Sequence, residues 1–338
     1  MWHVANQTPF AADYGWVMDK NGNKIWLVVV KATFDIQPDG RCLLAAENEP
    51  VRQVAQPHGE FGKSSLQYET DLAGVKPTTD VLVYGDAMVP KGRFATSLDV
   101  SLRAGTLQKR LRVTGDRFWE SGVFGLRMSE SKPFERMPIT YERAYGGWDR
   151  SAAQPEDHRL EERNPVGTGF ALRVENCEGM RLPNIEYPDQ LISDWKDHPA
   201  PAGLNAVDCA WLPRRQLAGT YDDAWRRNRF PLWAEDFVPL YHNSSPIDQR
   251  PEQYFSGGEH IEVTSMSESG TLGFDLPKIN LAFRTRFGSE RVDREGQLCT
   301  VIIEPNVPRV MLAWQAALVC NRRADELDET LVVEKWVA

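Results

Sequence analysis

The chain lacks the usual sequence marks of a metal site, a disulfide framework or a hydrolase. Its five cysteines, Cys42, Cys177, Cys209, Cys299 and Cys320, are odd in number, widely spaced and free of any Cys-x-x-Cys. That excludes the common zinc and disulfide spacings, and free thiols fit a reducing cytoplasm. The histidines His3, His58, His158, His198, His242 and His260 form no His-Glu-x-x-His, so a metal site would have to be assembled from distant residues. No Gly-x-Ser-x-Gly elbow occurs. Gly167 and Gly169 flank Thr168 without a following Gly-Lys-Ser or Gly-Lys-Thr, so a shaped loop is expected there rather than a phosphate cradle. No catalytic residues and no cofactor are expected. The longest apolar runs, Ile25 to Val30 and Val310 to Val319, are too short or interrupted to span a bilayer, and no membrane insertion is expected. The first residues, Met-Trp-His-Val-Ala-Asn-Gln, do not read as a signal peptide. Positive charge is also short: the net charge is −9. Phosphate neutralisation needs clustered Lys and Arg, so no nucleic-acid partner is expected. The balance suits a soluble protein with protein partners.

What is present is mainly period-two patterning. Ile25 to Phe34 is rich in β-branched and aromatic residues and reads as a buried strand. The Asn21-Gly22-Asn23 turn predicts that Tyr14 to Asp19 pairs with it. Ser97 to Arg103 and Gln108 to Thr114 read as a second hairpin. Near the C-terminal end, His260 to Met266, Thr271 to Leu276, Asn280 to Phe287, Leu298 to Glu304 and Arg309 to Leu318 read as strands. Asn280 to Phe287 and Leu298 to Glu304 are expected to flank a polar turn. These segments predict a mainly β fold with two antiparallel sheet units, sandwich or barrel-like, plus a loop-rich middle and a short helix. The divisions fall at 1–117, 118–255 and 256–338, and the two end units are expected to be related repeats.

The middle holds Trp119, Trp148, Trp195, Trp211, Trp225 and Trp233, out of eleven tryptophans. Disordered segments are depleted in aromatics, so this region is expected to be ordered. Thr220 to Phe237 is its most informative stretch. Thr220 with Asp223 has capping-box spacing, a helix is predicted over Tyr221 to about Arg229, and Pro231 stops it. Asp222 and Asp223 lie at its positive end, and Arg226, Arg227 and Arg229 at its negative end. Tyr221 and Trp225 share a face. One role for these rings is to fill a core. The other is an interface, with Trp225, Trp233 and Phe237 as anchors and Tyr221, Arg226, Arg227 and Arg229 around them.

Five further segments have a recognisable order. Tyr141 to Asp149 carries Glu142, Arg143, Tyr145, Gly146, Gly147 and Asp149. Asn164 to Phe170 carries Asn164, Gly167 and Gly169. Leu182 to Glu186 carries Asn184 and Glu186. The Thr220 helix and Pro246 to Gln249, with Asp248 and Gln249, follow. Glu142 and Arg143 are expected on opposite faces of a strand, either in an internal charge network or facing a partner.

With the Thr79 to Asp116 hairpin, this ordered set resembles the bacterial family known as domain of unknown function 2169. The resemblance runs over nearly the whole chain. It implies a cytoplasmic adaptor or chaperone of type VI secretion, which holds a secreted effector and helps load it onto the VgrG spike or its PAAR tip. It supplies no catalytic residues and leaves the oligomeric state open. Two other classes remain: an enzyme whose site is assembled from distant residues, and a carbohydrate-binding β protein.

Overall fold

The computed structural model describes residues 2–123 and 125–335. Its longest strand, Lys24–Ile36, is buried from Ile25 to Phe34. Trp26, Val28, Val30, Ala32 and Phe34 enter the main core on one face, while Leu27 and Val29 join a smaller cluster on the other. Burial on both faces explains why this segment reads as a continuous apolar run instead of alternating. It pairs antiparallel with Ala11–Met18 through the predicted turn at Asn21 to Asn23, and with Arg309–Val319 on its other side.

These strands belong to a six-stranded sheet completed by Gln297–Glu304, Asp80–Val83 and the short Cys42–Leu44. A five-stranded sheet runs Ile185–Glu186, Leu107–Thr114, Ser97–Ala104, His260–Thr264, Thr271–Asp275. A four-stranded sheet runs Val4–Asn6, Leu327–Glu334, Leu281–Phe287, Glu290–Glu295. One apolar cluster joins all three, with Trp26 and Trp314 from the first, Leu102, Leu111 and Ile261 from the second, and Phe283 and Val332 from the third. Among the described residues the fold is therefore mainly β, with several sheets, no closed barrel and one short α-helix. Among the described residues no helix is long and apolar enough to cross a membrane.

The sheets do not follow the divisions at residues 117 and 255. Ser97–Ala104 pairs with Leu107–Thr114 on one side and with His260–Thr264 on the other. Asp80–Val83 lies parallel to Gln297–Glu304, and Val4–Asn6 parallel to Leu327–Glu334. The two ends are interleaved, the six- and four-stranded sheets are mixed while the five-stranded sheet is antiparallel throughout, and the hairpins of the two ends have different neighbours. The polar stretch expected to be a turn near Asp293 is itself a strand, Glu290–Glu295, paired with Leu281–Phe287. It is an edge strand with mostly exposed residues, so it needs no apolar alternation, and its charges guard an open edge.

Candidate functional site

The loops of the middle region meet at a groove of about 620 Å³. Tyr141 lines it from one segment, Arg163 from a second, Tyr187 from a third, Leu212 to Arg214 with Leu217 from a fourth, and Ser245 to Asp248 with Arg250 from a fifth. Four of the five family-like segments contribute to these walls or directly adjoin them.

The wall from Asn243 to Gln249 is fixed by buried polar groups. Asp80, fully buried, accepts from Lys76 Nζ at 2.8 Å, the Ser244 and Ser245 amides at 2.9 and 3.0 Å, Ser245 Oγ at 2.7 Å and Asn243 Nδ2 at 3.1 Å. Burial opposes its charge, but Lys76, Arg250 and these donors hold its carboxyl below the usual range. Gln249 Nε2 donates to Val81 O and Leu204 O at 2.8 and 3.0 Å. Lys109 Nζ donates to Asp248 Oδ1 and Gln249 Oε1, both at 2.8 Å, and Tyr187 Oη donates to Asp248 Oδ2 at 3.2 Å. Burial pushes the Lys109 ammonium down to about 8, although Asp248 favours its charge.

The remaining motif residues build the scaffold behind the groove. Tyr141–Arg143 is a 3-10 turn rather than a strand, so Glu142 and Arg143 do not alternate across a sheet. Both are used internally, with partners outside their own segment. Glu142 accepts from Ser65 N and Oγ at 2.7 and 2.9 Å. Arg143 Nη1 donates to Asn184 Oδ1 at 3.0 Å and lies 3.7 Å from Asp116. Asn184 Nδ2 donates to Thr114 O at 2.9 Å, and buried Glu186 pairs with Arg117. Asp149 accepts from Leu172 N at 2.8 Å and Ser151 Oγ at 2.6 Å. Tyr145 is buried, its hydroxyl against His198 Nδ1. Asn164 Nδ2 bridges Tyr141 O and Tyr145 O at 2.8 and 2.9 Å. Tyr145–Gly146 pairs with Thr168–Gly169, and Gly147 packs on Gly167 so closely that a Cβ would lie 2.5 Å from Gly167 O. The amides of Thr168 and Phe170 bond to Ala144 O and Gly146 O, so the loop is shaped by internal bonds.

The helix spans Asp223–Asn228, shorter than expected, and Asp222 is the cap, accepting from Trp225 N at 2.8 Å. Thr220 bonds to Asp236 instead. Tyr221, Trp225 and Phe230 form a ring group, with centroids 4.8 Å apart for the first pair and 5.6 Å for the second. Tyr221 is 46% and Phe230 67% exposed. Trp225 is half-buried and its Nε1 donates to Leu232 O. Arg226 pairs loosely with Asp223, and Arg227 is exposed with no ion pair among the described residues. Two of the expected contacts are corrected. Arg229 is a clamp, donating to Trp233 O at 2.7 Å and Lys20 O at 2.6 Å. Phe237 is buried and Trp233 half-buried, their rings tilted against each other with centroids 4.6 Å apart. Phe237 is thus nearly sealed from solvent, and Arg229 Nε and Nη2 are engaged by carbonyls of the chain itself. Sequence reasoning missed Phe230, which two features had marked: it is aromatic and sits directly before the helix-stopping Pro231.

Trp233 and Phe237 surround His242, with centroids 6.3 and 5.4 Å from its ring. Burial, reinforced by Arg214, pushes the imidazole down to about 4 from 6.5. The native state thus binds fewer protons than the unfolded chain between these values. The contribution is fully present above pH 6.5 and lost as pH falls toward 4, up to about 3 kcal/mol. Urea midpoints of the native chain are expected to fall through this window more steeply than those of His242→Leu. Parallel pH profiles would contradict the assignment.

Among the described residues no group of three or more His, Cys, Asp or Glu could hold a metal ion. The sequence profile of the family described as "Uncharacterized protein conserved in bacteria (DUF2169)" matches residues 21–315, and the chain belongs to that family. No curated protein and no solved structure matches it.

Proposed function

We propose that this DUF2169 member is a non-enzymatic cytoplasmic adaptor that binds a secreted effector and helps load it onto the VgrG spike or PAAR tip of a type VI secretion system. The secretion context comes from the family resemblance. The observation that supports a binding role is the exposed ring group Tyr221, Trp225 and Phe230 beside Arg226 and Arg227. Clustered aromatics with arginine are the usual energetic centre of protein interfaces. This surface is continuous with the groove: Leu212 and Gln216 line both the groove and the smaller depression that reaches Tyr221. Holding effector and spike together raises their effective concentration toward each other.

Phe230→Ala combined with Arg227→Ala removes exposed groups and should leave the fold intact. Capture of a type VI effector from the same bacterium that the native chain binds is expected to fall about tenfold or more. Equal capture by the folded double variant in a pull-down would refute this surface.

A further inference from the structure

We propose that the groove takes the carboxy-terminal residues of a partner protein, with apolar side chains between Tyr187, Leu217 and Ile247 and the terminal carboxylate on Arg250. The inference rests on the adaptor reading only in taking the ligand to be a protein.

Charge bookkeeping singles out Arg250. Arg163 is paired with Glu161 at 2.7 Å, Arg214 with Glu69 at 2.6 Å and Asp248 with Lys109 at 2.8 Å. Arg250 is in no ion pair among the described residues. Its Nε donates to Ser245 O at 2.9 Å and its Nη2 to Asn243 O at 3.2 Å. Carbonyl oxygens satisfy those donors without neutralising the cation. The carboxylates whose field it feels, Asp80 and Asp248, are already bound by Lys76 and Lys109. Its Nη1 has no hydrogen-bond partner among the described residues and is not sealed from solvent. Ser245, which orients the guanidinium, itself lines the groove.

One open guanidinium among apolar and proline walls matches an apolar segment that ends in a carboxylate, because a charge-assisted bond there is stronger than a neutral one. The volume lies in the range of a compact ligand, roughly 300–1,000 Å³, which suits a few terminal residues and not a helix. An internal segment without Asp or Glu would bring no anion to Arg250, whereas every free carboxy terminus does. Asp189, exposed on the lining and in no ion pair among the described residues, favours a basic residue upstream of the terminus.

The probe is a fluorescein-labelled pool of hexapeptides, with Lys third and Leu, Ile, Val or Phe in the last three positions. A matched pool ends in carboxamide. Anisotropy titration with the full chain is expected to give at least tenfold tighter binding for the free carboxylate. Arg250→Gln should abolish that difference. Ile247→Asp, at a position 66% exposed, should weaken both pools and covers the case in which Arg250→Gln does not fold. Equal binding of the two pools, no binding, or indifference to Ile247→Asp would overturn the proposal. So would decanoate binding more tightly than any pool, which would make the ligand a small amphiphile. If the pools fail while Phe230→Ala with Arg227→Ala still loses the effector, only the groove assignment falls. If the pools behave as expected while that variant keeps full capture, the helix surface falls instead.

Discussion

Asp80→Ala is expected to destabilise the protein by about 3–5 kcal/mol, the cost of stranding a buried charge. That is a large fraction of the roughly 5–15 kcal/mol that holds an ordinary domain folded. Lys76 is 3% exposed and would lose its only carboxylate within 4 Å among the described residues. Asn243, Ser244 and Ser245 would lose an acceptor at the same time. The effect spreads to the groove, because those three residues begin the wall that continues to Arg250. Urea unfolding followed by tryptophan fluorescence measures it. Lys76→Met with Asp80→Leu should recover only part of the loss, since the serine amides stay unpaired. A single variant within 1 kcal/mol of the native chain would show that the pair is not coupled as described.

Gly146→Ala ranks second, with an expected loss of about 2–4 kcal/mol. Its φ is +152°, and a Cβ would stand 2.2 Å from Asn164 O, a backbone atom that cannot swing away. Asn164 is held by Tyr141 O and Tyr145 O, so relief would require the whole Tyr141 to Phe170 crossing to move. Gly179→Ala is the control. Its φ is +75° and nothing lies within 4 Å of the added carbon, so only the backbone term of about 1–2 kcal/mol remains. Similar losses at both sites in urea midpoints would remove the steric argument.

The β character and the main hairpins were legible because Lys24–Ile36 and Ser97–Thr114 carry strong local patterns and clear turns. Their sheet partners were not. Nothing local in Asp80–Val83 says that it lies beside Gln297–Glu304, because such pairing is decided by shared burial between distant segments. Glu290–Glu295 escaped for the opposite reason, since an exposed edge has no pattern to read. In the helix region, Tyr221, Trp225 and Arg227 fell where a partner could reach them. Phe237 and Arg229 did not, because ring content alone does not tell which side faces inward. The groove was illegible: its cation, Arg250, matters through having no ion pair among the described residues, and Lys76 with Asp80 reads as an ordinary polar pair.

The interleaved sheets bear on how the chain is made. Lys24–Ile36 emerges from the ribosome long before its neighbour Arg309–Val319 exists, and pairings of that sequence separation are slow to form. Until the last quarter of the polypeptide is synthesised, the most apolar strand has one bare edge and is exposed to wrong partners. The nascent protein therefore has to be shielded or kept dilute during translation, whatever it later binds.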